Sequence, residues 1–226
     1  MTQLFFVWLG SKRAQKNHVP EKGWRLDRAM QAGLPVPNGG IFLDDFYWLA
    51  RQEEIVLADN GRLSISQPQK LYDLLYTAVR FPHLDKPCAI RPLFGRTLAI
   101  SPQLNIDMND SAVLAAALVD LWTAVLPHEE TTGHELLVQE MVAAEVIGTA
   151  VSHVQTATDT ITTPTDSLTL PHLGRWQKPA AAAPDHIQRL QKLLRGVRRT
   201  FGNGDWEVTW GDDGRVCWLL QIQAIL

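Results

Sequence analysis

The sequence predicts an α+β fold with mostly antiparallel sheets. Three observations carry the prediction. Helical and strand-like periods are intermixed along the chain instead of alternating in βαβ order. Two of the strand pairs are closed by short turns that make hairpins, and 46% of the 226 residues are hydrophobic, enough for a packed core.

The elements follow from local signals. Residues 3–9 form a first strand, and the loop Gly10-Ser11-Lys12-Arg13 follows it. Helical spacing runs over 22–32, with Trp24, Leu26 and Met30 as core contacts and Gly33 as the stop. Pro35 and Pro37 keep 34–37 extended, Ile41-Phe42-Leu43 is a short strand, and Asp44 is placed to cap the helix that carries Phe46, Trp48 and Leu49. Residues 55–66 read as two strands around Asn60-Gly61, a strong two-residue hairpin signal. Pro68 suits the first turn of a helix reaching Arg80, and 87–91 is a strand that ends in a proline-glycine loop. Asp110 or Ser111 opens an apolar helix over 112–126 that Pro127 stops. Residues 136–142 and 146–154 read as a strand pair joined by Ala143-Ala144-Glu145. A hairpin is expected over 159–170, then a loop through the alanines at 180–183. The last long helix starts at Pro184-Asp185, reaches Thr200 and ends at Gly202-Asn203-Gly204. The chain closes on a hairpin of 206–210 and 216–225 around Asp212-Asp213-Gly214.

Composition excludes several classes. A net charge of -3 and a pI of about 6.1 give no basic excess for general binding to nucleic acid or a membrane surface. Lys192, Arg195, Arg198 and Arg199 form the longest basic cluster and suit the last turns of a helix. Cys88 and Cys217 lack metal-type spacing and sit in apolar strand contexts, so they are expected as buried thiols. No run approaches the ~20 apolar residues of a membrane span, and the apolar start has no flanks of a signal peptide; the expected location is the cytoplasm. None of the seven histidines has helical metal-ligand spacing with another, and neither HExxH nor GxSxG is present.

Three separated segments carry candidate chemistry. Gly10-Ser11-Lys12 follows a strand, where backbone N–H groups and a lysine can meet phosphate; a surface turn is the alternative. Arg91 ends a buried strand and needs an anionic partner, either a phosphate or a structural carboxylate. Asp205 and Glu207 are two apart and share a strand face, with Gln221 on the partner strand. This set offers hard oxygen donors for Mg²⁺, or else the solvated face of an edge hairpin.

These segments occur in an order that resembles the nucleotide-binding domain of the phosphoenolpyruvate synthase and pyruvate phosphate dikinase family. The matching stretches are Leu9-Gly10-Ser11-Lys12, Ala32-Gly33-Leu34-Pro35-Val36-Pro37, Ala89-Ile90-Arg91 and Val138-Gln139-Glu140-Met141-Val142. The closing hairpin matches with Asp205-Trp206-Glu207 and Leu219-Leu220-Gln221. The resemblance implies a single shortened ATP-grasp-like domain over 1–226, with approximate lobes 1–100 and 101–226. It also implies ATP and Mg²⁺ as ligands. Lys12 and Arg91 would hold phosphates, and Gln139, Glu140, Met141 and Val142 would meet the adenine. Glu207 and Gln221 would hold Mg²⁺, and Asp205 would act with Lys12 and Arg91 at the phosphates. Departures from the family are plain. Pro92-Leu93 replace its serines, Phe94-Gly95-Arg96-Thr97 stand where its acidic pair follows, and Gln223 replaces its arginine. The family's phosphohistidine domain and barrel have no counterpart in these 226 residues. The implied role is a nucleotide-binding subunit that passes phosphate to a histidine on a separate protein, with neither nucleic acid nor membrane as partner. The alternative is a catalytically degenerate relative acting as a binding or regulatory module.

Overall fold

Local rules account for most elements of the computed structural model, which describes residues 4–93, 100–128, 133–202 and 204–225. Gln3, Asn203 and the Phe94-Gly95-Arg96-Thr97 segment of the sequence reading lie outside the described residues. The chain forms two structural units, one of Met1–Leu9, Arg13–Gly23 and Asn38–Met141, the other of Gly10–Lys12, Trp24–Pro37 and Val142–Leu226. These bounds differ from lobes at 1–100 and 101–226. The chain passes from one unit to the other several times, and its last crossing falls at 141/142, directly after a buried strand.

The first unit holds strand β1 (Phe6–Trp8), the first turn of helix α1 (Glu21–Gln31), strand β2 (Gly39–Phe42) and helix α2 (Asp44–Gln52). The hairpin β3 (Leu57–Asp59) and β4 (Arg62–Ser64) follows, then α3 (Pro68–Asp73), β5 (Cys88–Pro92), β6 (Gln103–Ile106), α4 (Ser111–Thr123) and β7 (Leu136–Glu140). Five strands make one antiparallel sheet in the order β1-β2-β7-β5-β6. Its core face presents Phe42, Ile90, Leu136 and Val138 to Phe46 and Trp122, all fully buried. Tilted and edge-on rings fill this core, with Phe42 and Phe46 centroids 4.8 Å apart and Tyr47 and Trp122 5.2 Å apart. Asn60 and Gly61 both have positive φ, at 48° and 75°, as a type I′ hairpin turn requires.

Several expectations are corrected in this unit. Leu43, not Asp44, is the residue before the first helical turn of α2, and no side chain caps that turn. Asp44 instead accepts hydrogen bonds from the backbone N–H and Nδ1 of His134, at 3.1 and 2.6 Å, and from Trp48 Nε1 at 2.8 Å. Helix α3 gives way after Asp73 to a π-helical turn over Leu74–Ala78. Strand β6 carries no strong periodic signal and was not expected. Helix α4 is capped by Asp110, which accepts from the N–H groups of Ala112 and Val113, but it ends at Thr123, ahead of Pro127.

The largest correction concerns the expected pairing of 136–142 with 146–154. Strand β7 pairs with β2 and β5, while β8 (Val146–His153) belongs to the other sheet. The physical reason is burial. Leu136, Leu137, Val138 and Gln139 are each at most 1% exposed, the mark of a central strand covered on both faces. Strand β8 alternates, with Ala150 and Ser152 buried and Ile147 and Thr149 exposed, so it needs a sheet with one open face.

The second unit contains that sheet. Strands β8, β9 (Thr158–Thr162), β10 (Ser167–Pro171), β11 (Trp206–Asp212) and β12 (Cys217–Ala224) run antiparallel in the order β10-β9-β8-β11-β12. Helix α5 (Asp185–Phe201) buries Ile187, Leu190, Leu194 and Val197 against the face that carries Val208 and Trp210. Gly33, at φ 78°, ends α1, and the Leu34 N–H closes back on the Ala29 carbonyl at 3.0 Å. Arg189 of α5 grips the buried Asp212 with two hydrogen bonds of 2.7 Å. Arg198 reaches Asp159 at 2.7 Å and Ser152 at 2.9 Å, and His172 closes this buried polar cluster. Both cysteines are buried, and burial pushes their thiols up to about 12, so neither is a ready nucleophile. Among the described residues no helix is long and apolar enough to cross a membrane.

Two outcomes follow. Burial alone would raise the Asp212 pKa, yet the Arg189 and Gly214 hydrogen bonds outweigh it and the net direction is down. Asp212→Ala strands Arg189 and is expected to cost about 3 kcal/mol, measured by urea unfolding at neutral pH. The hydrogen bond from His134 likewise holds the Asp44 carboxyl below its ordinary value. Its contribution is therefore present above the unfolded pKa and is lost as pH falls through the lower folded value. The fall in stability below about pH 4 should be shallower in Asp44→Asn, compared by urea midpoints at neutral and acid pH.

Candidate functional site

In the first unit the β5–β7 register sets Arg91 opposite Leu137 and Ala89 opposite Gln139. Side chains alternate along both strands, so Arg91 and Gln139 share the face opposite Ile90 and Val138. Arg91 Nη1 donates to Gln139 Oε1 at 2.9 Å. Gln139 is 1% exposed, and among the described residues its Nε2 has no acceptor. Among the same residues no carboxylate forms a salt bridge with Arg91, and burial presses its pKa below the ordinary value. A half-buried cation and a buried amide N–H without an acceptor each cost free energy. The described residues supply Arg91 with no carboxylate partner.

Glu140 and Met141 are committed within this unit. Glu140 lies on the other face of β7, 3.4 Å from Lys86, and its N–H donates to the Asn38 carbonyl at 2.9 Å. The Met141 N–H donates to Pro87 at 2.8 Å, and its sulfur accepts from the Asn105 N–H at 3.1 Å. Neither of these two N–H donors is therefore free for another acceptor.

The second unit holds the remaining candidates. Lys12 is exposed and adopts φ 65° in the left-handed region, an unusual conformation for a lysine and a mark of a locally constrained loop. Val142 opens the unit's long C-terminal stretch, its carbonyl accepting from the Ala144 N–H at 2.8 Å. Asp205 precedes β11, and its Oδ1 accepts from the Val154 N–H at 2.7 Å, so it ties the end of β8. Glu207 pairs with Gln223 and Thr209 with Gln221, which places Glu207 and Gln221 as diagonal neighbours. They share the sheet face turned away from α5, because the buried Val208 and Trp210 occupy the alternate positions. An extra residue in β12, Leu220, falls beside Gln221 where the register shifts. Gln223 Nε2 donates to Glu207 Oε2.

These donors fit Mg²⁺ in one way. Mg²⁺ keeps several waters and shares phosphate oxygens, so one carboxylate with one amide oxygen suffices. Among the described residues no cluster of three or more His, Cys, Asp or Glu could hold a metal alone. The sequence reading did not foresee the Arg91–Gln139 bond or the open polar face of Thr149, Thr209 and Gln223 that surrounds Glu207 and Gln221. The threonines do recur with a period of two in β9, at 158, 160 and 162, which is a readable signal for such a face.

No protein-family model matches this chain, and no curated protein does. Solved structures do match. D-alanine–D-alanine ligase from Bacillus anthracis is similar with a TM-score of 0.51 at 9% identity, over 90% of this chain and 56% of the ligase. Dinucleotide-forming acetyl-coenzyme A synthetase 1 from Ca. Korarchaeum cryptofilum, in complex with coenzyme A, Ca-AMPCP and HgCl+, has a TM-score of 0.55. Its identity is 11%, over 95% of this chain and 96% of that one. The fold is ATP-grasp-like. It agrees with the α+β expectation. The chain spans little more than half of the ligase, so the likeness concerns architecture alone.

The ATP-grasp-like sheet carries its half-buried arginine at a cost in stability. Gln139→Leu should remove the sole described acceptor of Arg91 and destabilise the ligand-free protein by about 2 kcal/mol. Combining it with Arg91→Met replaces both polar partners by apolar groups and should bring stability back to the unsubstituted level or above, read from urea midpoints.

Proposed function

We propose that this chain is the ATP- and Mg²⁺-binding part of a phosphotransferase of the phosphoenolpyruvate synthase and pyruvate phosphate dikinase kind, acting in the cytoplasm. Phosphate would pass to a histidine on a separate protein. The observation that carries the reading is the half-buried Arg91, held by the neutral, buried Gln139 and facing no carboxylate among the described residues. In this reading Arg91, the Gln139 amide and Lys12 neutralise phosphate charge, and Glu207 with Gln221 supplies oxygens to Mg²⁺. Asp205 acts with Lys12 and Arg91 at the phosphates, while its Oδ1 also holds the Val154 N–H after β8. Catalysis of phosphoryl transfer is mainly positioning and charge stabilisation, which is what these residue types provide. The ATP-grasp-like fold and the ordered motifs of the sequence both support nucleotide as the ligand.

One observation favours the second reading, a catalytically degenerate binding or regulatory module. Glu207 is engaged by Gln223, where the resembled family has an arginine, and the Asp205 carboxylate is engaged by a backbone N–H. Nucleotide binding with no phosphoryl transfer to any histidine protein would support that module.

Thermal denaturation with ATP and MgCl₂ tests the nucleotide site. At a hundredfold excess over Kd the native state gains about 2.7 kcal/mol, and the midpoint should rise accordingly. The rise should vanish in Arg91→Met and in Lys12→Ala, and lose its Mg²⁺ dependence in Glu207→Ala. An unchanged midpoint at millimolar nucleotide would remove the proposal.

A further inference from the structure

A strongly uneven charge distribution falls in a stretch of chain that contains none of the candidate nucleotide residues. Of 21 Lys and Arg in a chain of net charge -3, seven fall between His172 and Gly204, where Asp185 is the sole acidic residue. Arg189 and Arg198 are bound to Asp212 and Asp159. The other five, Arg175, Lys178, Lys192, Arg195 and Arg199, form no salt bridge among the described residues. On α5, Lys192, Arg195 and Arg199 follow spacings of three and four and share the stripe facing away from the buried Leu190, Leu194 and Val197.

This cationic stripe is joined to an ordered turn. Arg195 Nη1 donates to the carbonyls of Gly174, Arg175 and Gln177, at 3.2, 3.4 and 2.8 Å. Gln177 closes the turn by donating its N–H to Gly174 O and accepting the Gly174 N–H on its side chain, both at 3.1 Å. At the tip stands Trp176, 86% exposed, with the Arg175 guanidinium 5.0 Å from its ring. A large indole held in water by a fixed turn gains nothing from the fold itself. Preorganised aromatics flanked by arginine are what protein interfaces use as anchors.

We infer that the 174–178 turn and the outer stripe of α5 form a docking surface for a separate protein that presents an acidic segment with an apolar slot for Trp176. Charge complementarity selects acidic groups as the partner chemistry. A nucleic-acid strand fits less well. It asks for several stacking platforms along a basic track, and this surface has one indole on a molecule of net negative charge. The inference stands apart from the nucleotide reading, because none of these residues belongs to that site.

The test is fluorescence anisotropy on the full chain with three labelled probes: a glutamate-rich peptide with a central leucine pair, the same peptide with glutamines, and oligo(dT). The acidic peptide should bind, weaken with NaCl, and lose about tenfold or more in affinity in Trp176→Ala and separately in Lys192→Glu. Arg195→Ala, which releases the turn but keeps the indole, should weaken it as well. The glutamine peptide should bind much less. An unchanged thermal midpoint and an unchanged response to ATP in Trp176→Ala separate this result from loss of fold or of the nucleotide site. Tighter binding of oligo(dT), no binding of the acidic peptide, binding unaffected by both substitutions, or self-association of the chain that Trp176→Ala abolishes would each overturn the proposal.

Discussion

Strand β7 must be apolar on both faces, because β2 and β5 flank it and side chains cover it above and below. Leu136, Leu137 and Val138 obey that constraint, and Gln139 breaks it. A buried amide persists in such a strand when its polar atoms are satisfied, and here Arg91 satisfies one end. The rest of the first unit accommodates this choice. The aromatic packing of Phe42, Phe46 and Trp122 lies on the opposite face, so the polar pair never competes with the core for space. The same burial decides connectivity, since a strand covered twice cannot also be half of an exposed hairpin with β8.

The second unit solves a different problem with similar parts. Its sheet has one dry face and one open face, and α5 supplies the cover. Burying that helix required ion pairs at its polar flank, where Arg189 meets Asp212 and Arg198 meets Asp159. Once those arginines are neutralised inward, the cations left on the helix face outward without counter-charges. The open face of the sheet keeps Glu207, Thr209, Gln221 and Gln223 in reach of solvent. One helix thus separates two surfaces of different chemistry, oxygen donors on the far side of the sheet and cations on its own outer stripe.

Much of this was legible in the sequence, and the reasons are local. Asn60-Gly61, Gly33, Asp110 and the Asp212–Gly214 turn fix backbone geometry through their own side chains or lack of them, so they read correctly without tertiary context. Asp44 did not, because a helix-capping residue and a long-range hydrogen-bond acceptor are the same residue until His134, ninety positions away, is placed. The β7–β8 pairing failed for the same reason: two adjacent strand periods look like a hairpin unless burial on both faces is known. Arg91 and Gln139 are each readable as candidates, but the bond between them is not, since cross-strand register is a property of the sheet and not of either segment.

The two most specific motifs of the family resemblance occupy architectural positions. In the AGLPVP stretch Gly33 ends α1, Leu34 packs where Gly196 leaves room, and the Pro35 carbonyl accepts from Leu219 at 2.7 Å. In the VQEM stretch the N–H groups of Glu140 and Met141 are spent on Asn38 and Pro87. These stretches therefore serve the folding of the chain, whatever its chemistry. What folding does not explain is a half-buried arginine without a carboxylate among the described residues and a lysine held at positive φ. Each lowers the stability of the chain, the arginine through lost hydration and the lysine through its backbone conformation. The functional reading consequently rests on the residues that the fold would be better without, not on the motifs that match best.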